Sequence, residues 1–174
     1  MKHITLIIIA MLFATTTFAQ QIFDVEFTQT KVMKVSGKTT NKAGHINYDG
    51  NDHLTMTYSV PEGDYFIIEG NMVKINMDGK KADLDAEKVK MVKLQRATLL
   101  NCLSGNWEQA AIDNNADLTV TEDKGQRNVV IKAKGKVPKG GYSAVELTYR
   151  LSDGMMTHMM LEEAIGIQNI YDIK

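Results

Sequence analysis

Between Ile22 and Ile75, apolar and polar residues alternate in short runs that are separated by turn residues. Phe23, Val25 and Phe27 show this period, with acidic side chains between them. A period of two predicts β-strands with one buried face, because successive side chains of a strand point to opposite faces of its sheet. Gly, Asn and Pro stand between the runs, so consecutive strands are predicted to form antiparallel hairpins.

The period changes in the middle of the chain. Acidic residues at positions 83, 85 and 87 favour a helix N-terminus. Apolar residues then recur at spacings of three and four, in a stripe that Arg96 interrupts: Val89, Val92, Leu99, Leu103 and Trp107. Ser104-Gly105-Asn106 is predicted to end or kink this helix, and the helical segment is expected over residues 84–111.

Past Asn114 the strand period returns and continues to Ile173. About nine to eleven strands are therefore expected around one helical segment. One helical segment cannot cover both faces of so large a sheet, so the sheet is expected to curl around it. The predicted fold class is mainly β with a central helical insert: a curved antiparallel sheet, or open half-barrel, wrapped around a helix.

Residues 1–19 have the pattern of a secretory signal peptide. Lys2 and His3 precede an apolar run over 4–13, and small residues stand before the predicted cleavage point after Ala19. The apolar run is too short to cross a bilayer, which needs roughly 20 residues. The sequence thus predicts an exported, periplasmic protein whose residues 20–174 form a single domain. A net charge of −1 gives no indication of nucleic-acid binding.

Residues that would indicate catalysis do not occur in recognisable patterns. Cys102 is the only cysteine, which excludes an internal disulfide, and it is interpreted as a buried helix residue rather than a reactive thiol. His45, His53 and His158 have no metal-ligand spacing. The sequence therefore predicts no catalytic residue, no metal site, no cofactor and no enzymatic activity.

Five short motifs follow one another in the first half of the chain: Phe27-Thr28-Gln29, Gly44-His45-Ile46, Tyr58-Ser59-Val60-Pro61, Ile68-Glu69-Gly70-Asn71 and Val73-Lys74-Ile75. In this order and spacing they resemble the opening strands of the periplasmic outer-membrane lipoprotein carriers of the LolA type. The likeness is plausible again over residues 145–174, where Asp153-Gly154 precedes a strand. The resemblance implies a half-barrel that shelters acyl chains.

The resemblance also implies the binding residues. The family strand before Tyr-x-x-Pro faces the lipid cavity, which assigns Leu54, Met56 and Tyr58 to ligand contact. The further expected cavity residues are Phe66, Ile68, Val73 and Ile75 on the next strands, and Leu99, Leu103 and Trp107 on the helical side. The implied function is a periplasmic carrier or chaperone for acyl chains of lipoproteins or other lipids, working as a monomer between membrane-associated donor and acceptor proteins.

Three departures from the family pattern count against the family's transfer mechanism more than against its fold. The carriers have an amphipathic helix before Phe-x-Gln and a C-terminal extension, and neither is expected here. They also carry a basic residue followed by Pro, implicated in latching the lid, where this chain reads Asp49-Gly50-Asn51. An interaction or sensing module of the same fold, without lipid transport, is therefore the alternative. A glycan-binding protein is less favoured, because the single Trp lies on the apolar helix stripe.

Methionine is concentrated near the C-terminus. Met155, Met156, Met159 and Met160 fall within six residues of one predicted strand. Strict alternation would place Met155 with Met159 on one face, and Met156 with Met160 on the other. These side chains are interpreted either as ordinary core packing or as a flexible surface that repacks around varied ligands.

Overall fold

The computed structural model of this protein describes residues 22–174. The predicted signal peptide over residues 1–19 lies outside the described residues, as does its cleavage point after Ala19. The first six strands are β1 (Phe23–Met33), β2 (Lys38–Tyr48), β3 (His53–Val60), β4 (Glu62–Glu69), β5 (Met72–Met77) and β6 (Lys80–Asp85). Two helices follow, α1 (Lys90–Leu103) and α2 (Trp107–Asp113). The remaining strands are β7 (Ala116–Asp123), β8 (Gln126–Ala133), β9 (Tyr142–Arg150), β10 (Met156–Glu163) and β11 (Ile167–Ile173).

All the strands belong to one antiparallel sheet of 11 strands, in the order β6-β5-β4-β3-β2-β1-β11-β10-β9-β8-β7. Except for β6 and β7, strands that are consecutive in the chain pair with each other, and β1 pairs with β11 in the middle of the sheet. The edges, β6 and β7, do not pair with each other, so the sheet is not closed into a barrel. The chain leaves β6, forms the two helices and returns at β7, which confirms the predicted open half-barrel around a helical insert.

The inner face of the sheet carries the predicted apolar residues. In β1, Phe23 and Phe27 are buried while Asp24 and Glu26 are exposed. Burial of the inner face of the sheet against the helices stabilises the curved sheet. The hydrophobic free energy of this burial is about 25 cal/mol for each Å² of apolar surface.

Gly44 is required by close packing between neighbouring strands. A β-bulge lies between Ala43 and Gly44 where β2 pairs with β3. A Cβ atom at Gly44 would overlap the carbonyl oxygen of Thr57 and press against the ring of Phe27. The glycine at the start of the Gly44-His45-Ile46 motif is thus explained by the absence of space for a side chain.

The helix begins later than the acidic residues predict. Asp83 and Asp85 lie in β6, which pairs with β5 along its whole length, and α1 starts at Lys90. The Asp85 carboxylate accepts a hydrogen bond from the backbone N–H of Glu87 and so shapes the turn before the helix. The prediction of helix from position 84 was wrong because ladder hydrogen bonds to a neighbouring strand outweigh a local preference for helix.

The rest of the helical prediction holds. α1 ends at Leu103, and Gly105 has a φ of 79°, the left-handed conformation that ends many helices. In the predicted stripe, Val92, Leu99, Leu103 and Trp107 are buried. Val89 departs from it, being 40% exposed at the N-cap position. Within residues 22–174, no helix has the length and apolar character needed to cross a membrane.

The methionine-rich strand is not regular. A bulge between Met156 and His158 shifts the register of β10 against β9. Met156 is therefore aligned with Tyr149, and Met159 with Leu147, so both methionines belong to the same buried core. The expectation that Met156 shares a face with Met160 was wrong because the extra residue of a bulge reverses the alternation of side chains.

Candidate functional site

A cavity of about 230 Å³ lies inside the half-barrel, between α1 and the inner face of the sheet. Its apolar wall comes from seven elements, because the strands curve past the side of the helix. The residues of this wall are Met56, Tyr58, Phe66, Ile75, Met77, Leu99, Tyr142, Met159, Leu161 and Tyr171. Three flexible thioethers are among them, which allows the wall to adapt to the shape of a guest molecule.

A second, smaller cavity of about 170 Å³ lies next to the first. The two share the side chains of Phe66, Ile75, Leu99 and Tyr142, so these four form the partition between them. The remaining wall of the second cavity is Val73, Leu84, Val92, Gln95 and Arg96. The interior thus holds two adjoining cavities that are separated by four side chains.

Charged residues stand at one end of the first cavity. The ammonium group of Lys42 donates to Asp64 Oδ2 at 2.6 Å and to Asp78 Oδ1 at 3.0 Å. Burial of Lys42 disfavours its charged form, but the hydrogen bonds and charges of the two carboxylates outweigh that effect, so the pKa of Lys42 is raised. Lys31 and Glu163 complete this charged end of the wall.

A hydrogen-bonded group of uncharged side chains lies beside the charged end. Gln29 Nε2 donates to Asn169 Oδ1 at 3.1 Å and to the Tyr171 hydroxyl at 3.2 Å. The Tyr171 hydroxyl is also hydrogen-bonded to Tyr58. Burial raises the pKa of Tyr171 to about 12 and raises the pKa of Tyr58 further, so both phenols are neutral at physiological pH.

The structure separates the ten predicted cavity residues into two groups. Met56, Tyr58, Phe66, Ile75 and Leu99 line the first cavity, and Val73 lines the second together with three of these. The other four, Leu54, Ile68, Leu103 and Trp107, are buried in the core and line neither cavity described here. Ligand contact by any of the ten stays a prediction.

The polar residues of the cavity were not predicted. Gln29 belongs to the Phe27-Thr28-Gln29 motif, and a period of two puts it on the same face as Phe27. Lys42, Asn169 and Tyr171 reach the same cavity only because β2 and β11 both pair with β1. The hairpin of β1 and β2 follows from the order of the strands, but no local signal in the sequence reveals the pairing of β1 with β11.

The residues that were considered for catalysis lie elsewhere. Cys102 is fully buried, and burial raises its thiol pKa to about 12. His45 and His158 each pair with one aspartate, Asp24 at 2.6 Å and Asp172 at 2.8 Å. No cluster of three or more His, Cys, Asp or Glu side chains suited to a metal ion occurs within residues 22–174.

Neither the protein-family models nor the curated proteins contain a match to this chain. Among solved structures, the chain is similar to a LolA superfamily protein from Nitrosomonas europaea. The identity is 11% and the TM-score 0.41, over 90% of this chain and 86% of that one. A putative outer membrane lipoprotein-sorting protein domain from Vibrio parahaemolyticus is also similar, with 5% identity and a TM-score of 0.39, over 90% of this chain and 84% of that one.

A third similar structure is a chain of the MucA/MucB complex of Pseudomonas aeruginosa. Here the identity is 11% and the TM-score 0.42, over 86% of this chain and 50% of that one. The first two of these structures are described as a LolA superfamily protein and a lipoprotein-sorting domain, the kind that the sequence motifs resemble. At these identities and TM-scores, the likeness carries no argument about binding or transfer, which have to be argued from the cavity itself.

Proposed function

We propose that this protein is an exported, non-enzymatic carrier or chaperone that shelters an acyl chain of a lipid or lipoprotein inside its half-barrel. The observation that carries the proposal is the pair of adjoining cavities beneath α1, of which the first has a mainly apolar wall and its charged residues at one end. An amphiphile has the same division, with an apolar chain and a polar head. Binding of this kind needs no covalent chemistry.

The size of the hydrophobic effect explains why a cavity suits this task. Burying one methylene is worth about 0.8 kcal/mol, so an acyl chain of about 15 carbons has on the order of 10 kcal/mol to gain by leaving water. A carrier has to supply most of that shelter and still release the chain. Adaptable methionine packing and an open sheet edge are consistent with both requirements.

The cavity volumes indicate how a chain would fit. An engineered apolar cavity of about 150 Å³ is large enough for benzene, and the first cavity here measures about 230 Å³. A long chain therefore needs the second cavity as well. Rotation of Phe66 or Leu99 in the shared partition would join the two.

In this proposal the protein acts as a monomer in the periplasm and carries its cargo toward the outer membrane. A membrane-associated donor would load it and an acceptor would unload it. The predicted signal peptide over residues 1–19 supports export.

A charge in the cavity wall tests the proposal. Met56→Glu should abolish uptake of a fluorescent fatty acyl probe, because a carboxylate would have to be buried against the chain. The matched control is Thr57→Glu, one residue further along β3 and exposed. Circular dichroism should show the same strand content in both variants, and Met56→Ala checks that a smaller apolar side chain preserves uptake. Retained uptake by folded Met56→Glu would remove Met56 from the site.

The second candidate is an envelope interaction or sensing module, in which the helices simply fill the half-barrel. Native mass spectrometry of the mature protein from its own periplasm, followed by organic extraction, distinguishes the two. Co-purifying acyl cargo is the expected result. If the measured mass equals that of the protein alone, and does not shift on adding lipoprotein or phospholipid, the interaction or sensing module is favoured.

A further inference from the structure

The side-chain carbonyl oxygen of Gln29 has no hydrogen-bond partner among the described residues. The side chain is only 6% exposed, and it lies in the wall of the first cavity. Its Oε1 atom is buried and has no hydrogen-bond partner among residues 22–174. A buried carbonyl oxygen that accepts no hydrogen bond is costly, so such atoms are uncommon and call for an explanation.

The neighbours of Gln29 determine which way its amide points. Asn169 Nδ2 donates to Glu163 Oε1 at 3.3 Å, so Asn169 presents its Oδ1 atom toward Gln29. That oxygen needs a donor, which only the Nε2 side of Gln29 supplies. A rotated amide would bring two acceptor oxygens together, and the Oε1 atom therefore remains the unpartnered one.

The Tyr171 hydroxyl lies next to this amide and also belongs to the cavity wall. A guest molecule can thus meet an acceptor, Gln29 Oε1, beside a hydroxyl that can act as a donor or an acceptor. A carboxylic acid O–H or an amide N–H supplies the donor that Gln29 Oε1 lacks. An ester presents oxygens alone and leaves the Gln29 oxygen without a partner.

The space restricts the guest to a single chain. Sites for drug-sized ligands usually measure about 300–1,000 Å³, and the first cavity is smaller, at about 230 Å³. Its charged residues Lys31, Lys42 and Asp78 stand at the end where Gln29 lies, and the apolar wall leads away from them toward Leu99. A head group at Gln29 with its chain directed under α1 matches this division.

We propose that the first cavity binds one single-chain amphiphile whose head group donates a hydrogen bond to Gln29 Oε1, namely an acyl chain that ends in a carboxylic acid or an amide. This proposal rests on the proposed function and names the ligand class of the same site. Free fatty acids and N-acylated peptides both have this head-group chemistry. Acyl esters of the same length are the disfavoured class.

The first experiment compares three ligands of one chain length on the wild-type protein: dodecanoic acid, N-methyldodecanamide and methyl dodecanoate. Dissociation constants are measured by displacement of the fluorescent acyl probe, and stoichiometry by native mass spectrometry. The amide should bind about 10-fold more tightly than the ester, the effect expected for one buried hydrogen bond. One ligand should bind per protein molecule.

The pH dependence of the affinity distinguishes free fatty acids from N-acylated peptides as the source of this head group. A buried carboxylic acid donates a hydrogen bond only while it is protonated, so the affinity for dodecanoic acid should fall as the pH rises from 5 to 9. The amide keeps its N–H throughout, and its affinity should stay constant. Preference for the acid at low pH points to free fatty acids, and preference for the amide at all pH values points to N-acylated peptides.

Gln29→Leu tests the role of the named residue. This variant should lose the preference for the amide, so that its dissociation constants for the amide and the ester agree to within about 2-fold. The wild-type series does not depend on the folding of any variant. Equal binding of amide and ester by the wild type, an unchanged preference in Gln29→Leu, or two bound chains would overturn this inference while leaving the carrier function standing. Failure of all three ligands to bind would overturn the carrier function itself.

Discussion

Lys42 and Asp64 show how one ion pair is held inside the apolar half-barrel. Their side chains are 11% and 7% exposed, and the second oxygen of Asp64 accepts a hydrogen bond from the backbone N–H of Asp78. Lys42 also lies 5.5 Å from the centre of the Tyr58 ring, which adds a cation–π contact. Each charge is therefore satisfied as long as the other is present.

Removing one partner of this pair should be far more costly than removing both. Lys42→Met should lower the free energy of unfolding by about 3–5 kcal/mol, because it leaves the Asp64 carboxylate buried without its counter-charge. The double variant Lys42→Met/Asp64→Asn should recover most of that loss. Urea denaturation measures the free energy of unfolding of the wild type, the single variant and the double variant.

The control is Lys34→Met, which removes the exposed Lys34–Glu162 pair, with side chains 48% and 22% exposed. Exposed pairs contribute about 1 kcal/mol or less. If Lys42→Met also lowered the free energy of unfolding by only about 1 kcal/mol or less, the Lys42–Asp64 pair would be solvated.

At the scale of elements, α1 is fastened to the sheet on both sides. Arg96 Nε donates to the carbonyl oxygen of Gly70 in the β4–β5 turn at 2.7 Å. Gln95 Nε2 donates to the carbonyl oxygen of Gly140 in the β8–β9 loop. Arg96 interrupts the apolar stripe of the helix for this reason. The helix itself thus carries the basic residue that holds it to the sheet.

Breaking this contact should loosen the cover of the cavity. Arg96→Met should lower stability by about 1.5–3 kcal/mol, the usual range for a hydrogen bond from a charged group, and leave the Gly70 carbonyl without that donor. Hydrogen exchange should become faster in α1 and remain unchanged in β9 and β10. Uptake of the acyl probe should also become faster.

Lys93→Met is the matched control on the same helix, because Lys93 forms only an exposed pair with Glu87. It should change neither stability nor exchange by a comparable amount. Equal exchange in the two variants would show that the Arg96–Gly70 contact does not hold the helix.

At the scale of the whole molecule, the inner face has an empty half and a filled half. The cavities are lined by β1–β5 and by the ends of β9–β11 beside α1, while α2 packs on β7 and β8. In the filled half, Trp107 Nε1 donates to the Tyr149 hydroxyl, which donates to the carbonyl oxygen of Cys102, both at 2.8 Å. Burial raises the pKa of Tyr149, so this hydroxyl keeps its proton.

Ligand binding should therefore stabilise the protein without altering its filled half. At a free ligand concentration 100 times the dissociation constant, the free energy of unfolding should rise by about 2.7 kcal/mol. Hydrogen exchange should slow in α1 and β3–β5. The emission spectrum of Trp107, the only tryptophan, should stay unchanged. A shifted Trp107 spectrum would mean that the ligand enters between α2 and β9.

Much of the fold follows from the sequence because strand alternation and turn residues are local properties. Phe23, Val25 and Phe27 predict their common face, and Gly70-Asn71 predicts its turn, without knowledge of any other part of the chain. The inward residues Met56 and Tyr58 were found in the same way, from a motif and a period of two. The start of α1 and the bulge at Met156 were missed, because pairing with a neighbouring strand decided both.

The sequence by itself determined the class of the fold, the hairpin order and the apolar character of the interior, since all three depend on neighbours in the chain. Only the tertiary structure decided where the interior is empty. Leu54 and Met56 have the same pattern in the sequence, yet Met56 lines the cavity and Leu54 is packed in the core. A cavity is a defect in packing between distant elements, so the position of α1 and the pairing of β1 with β11 determine its walls.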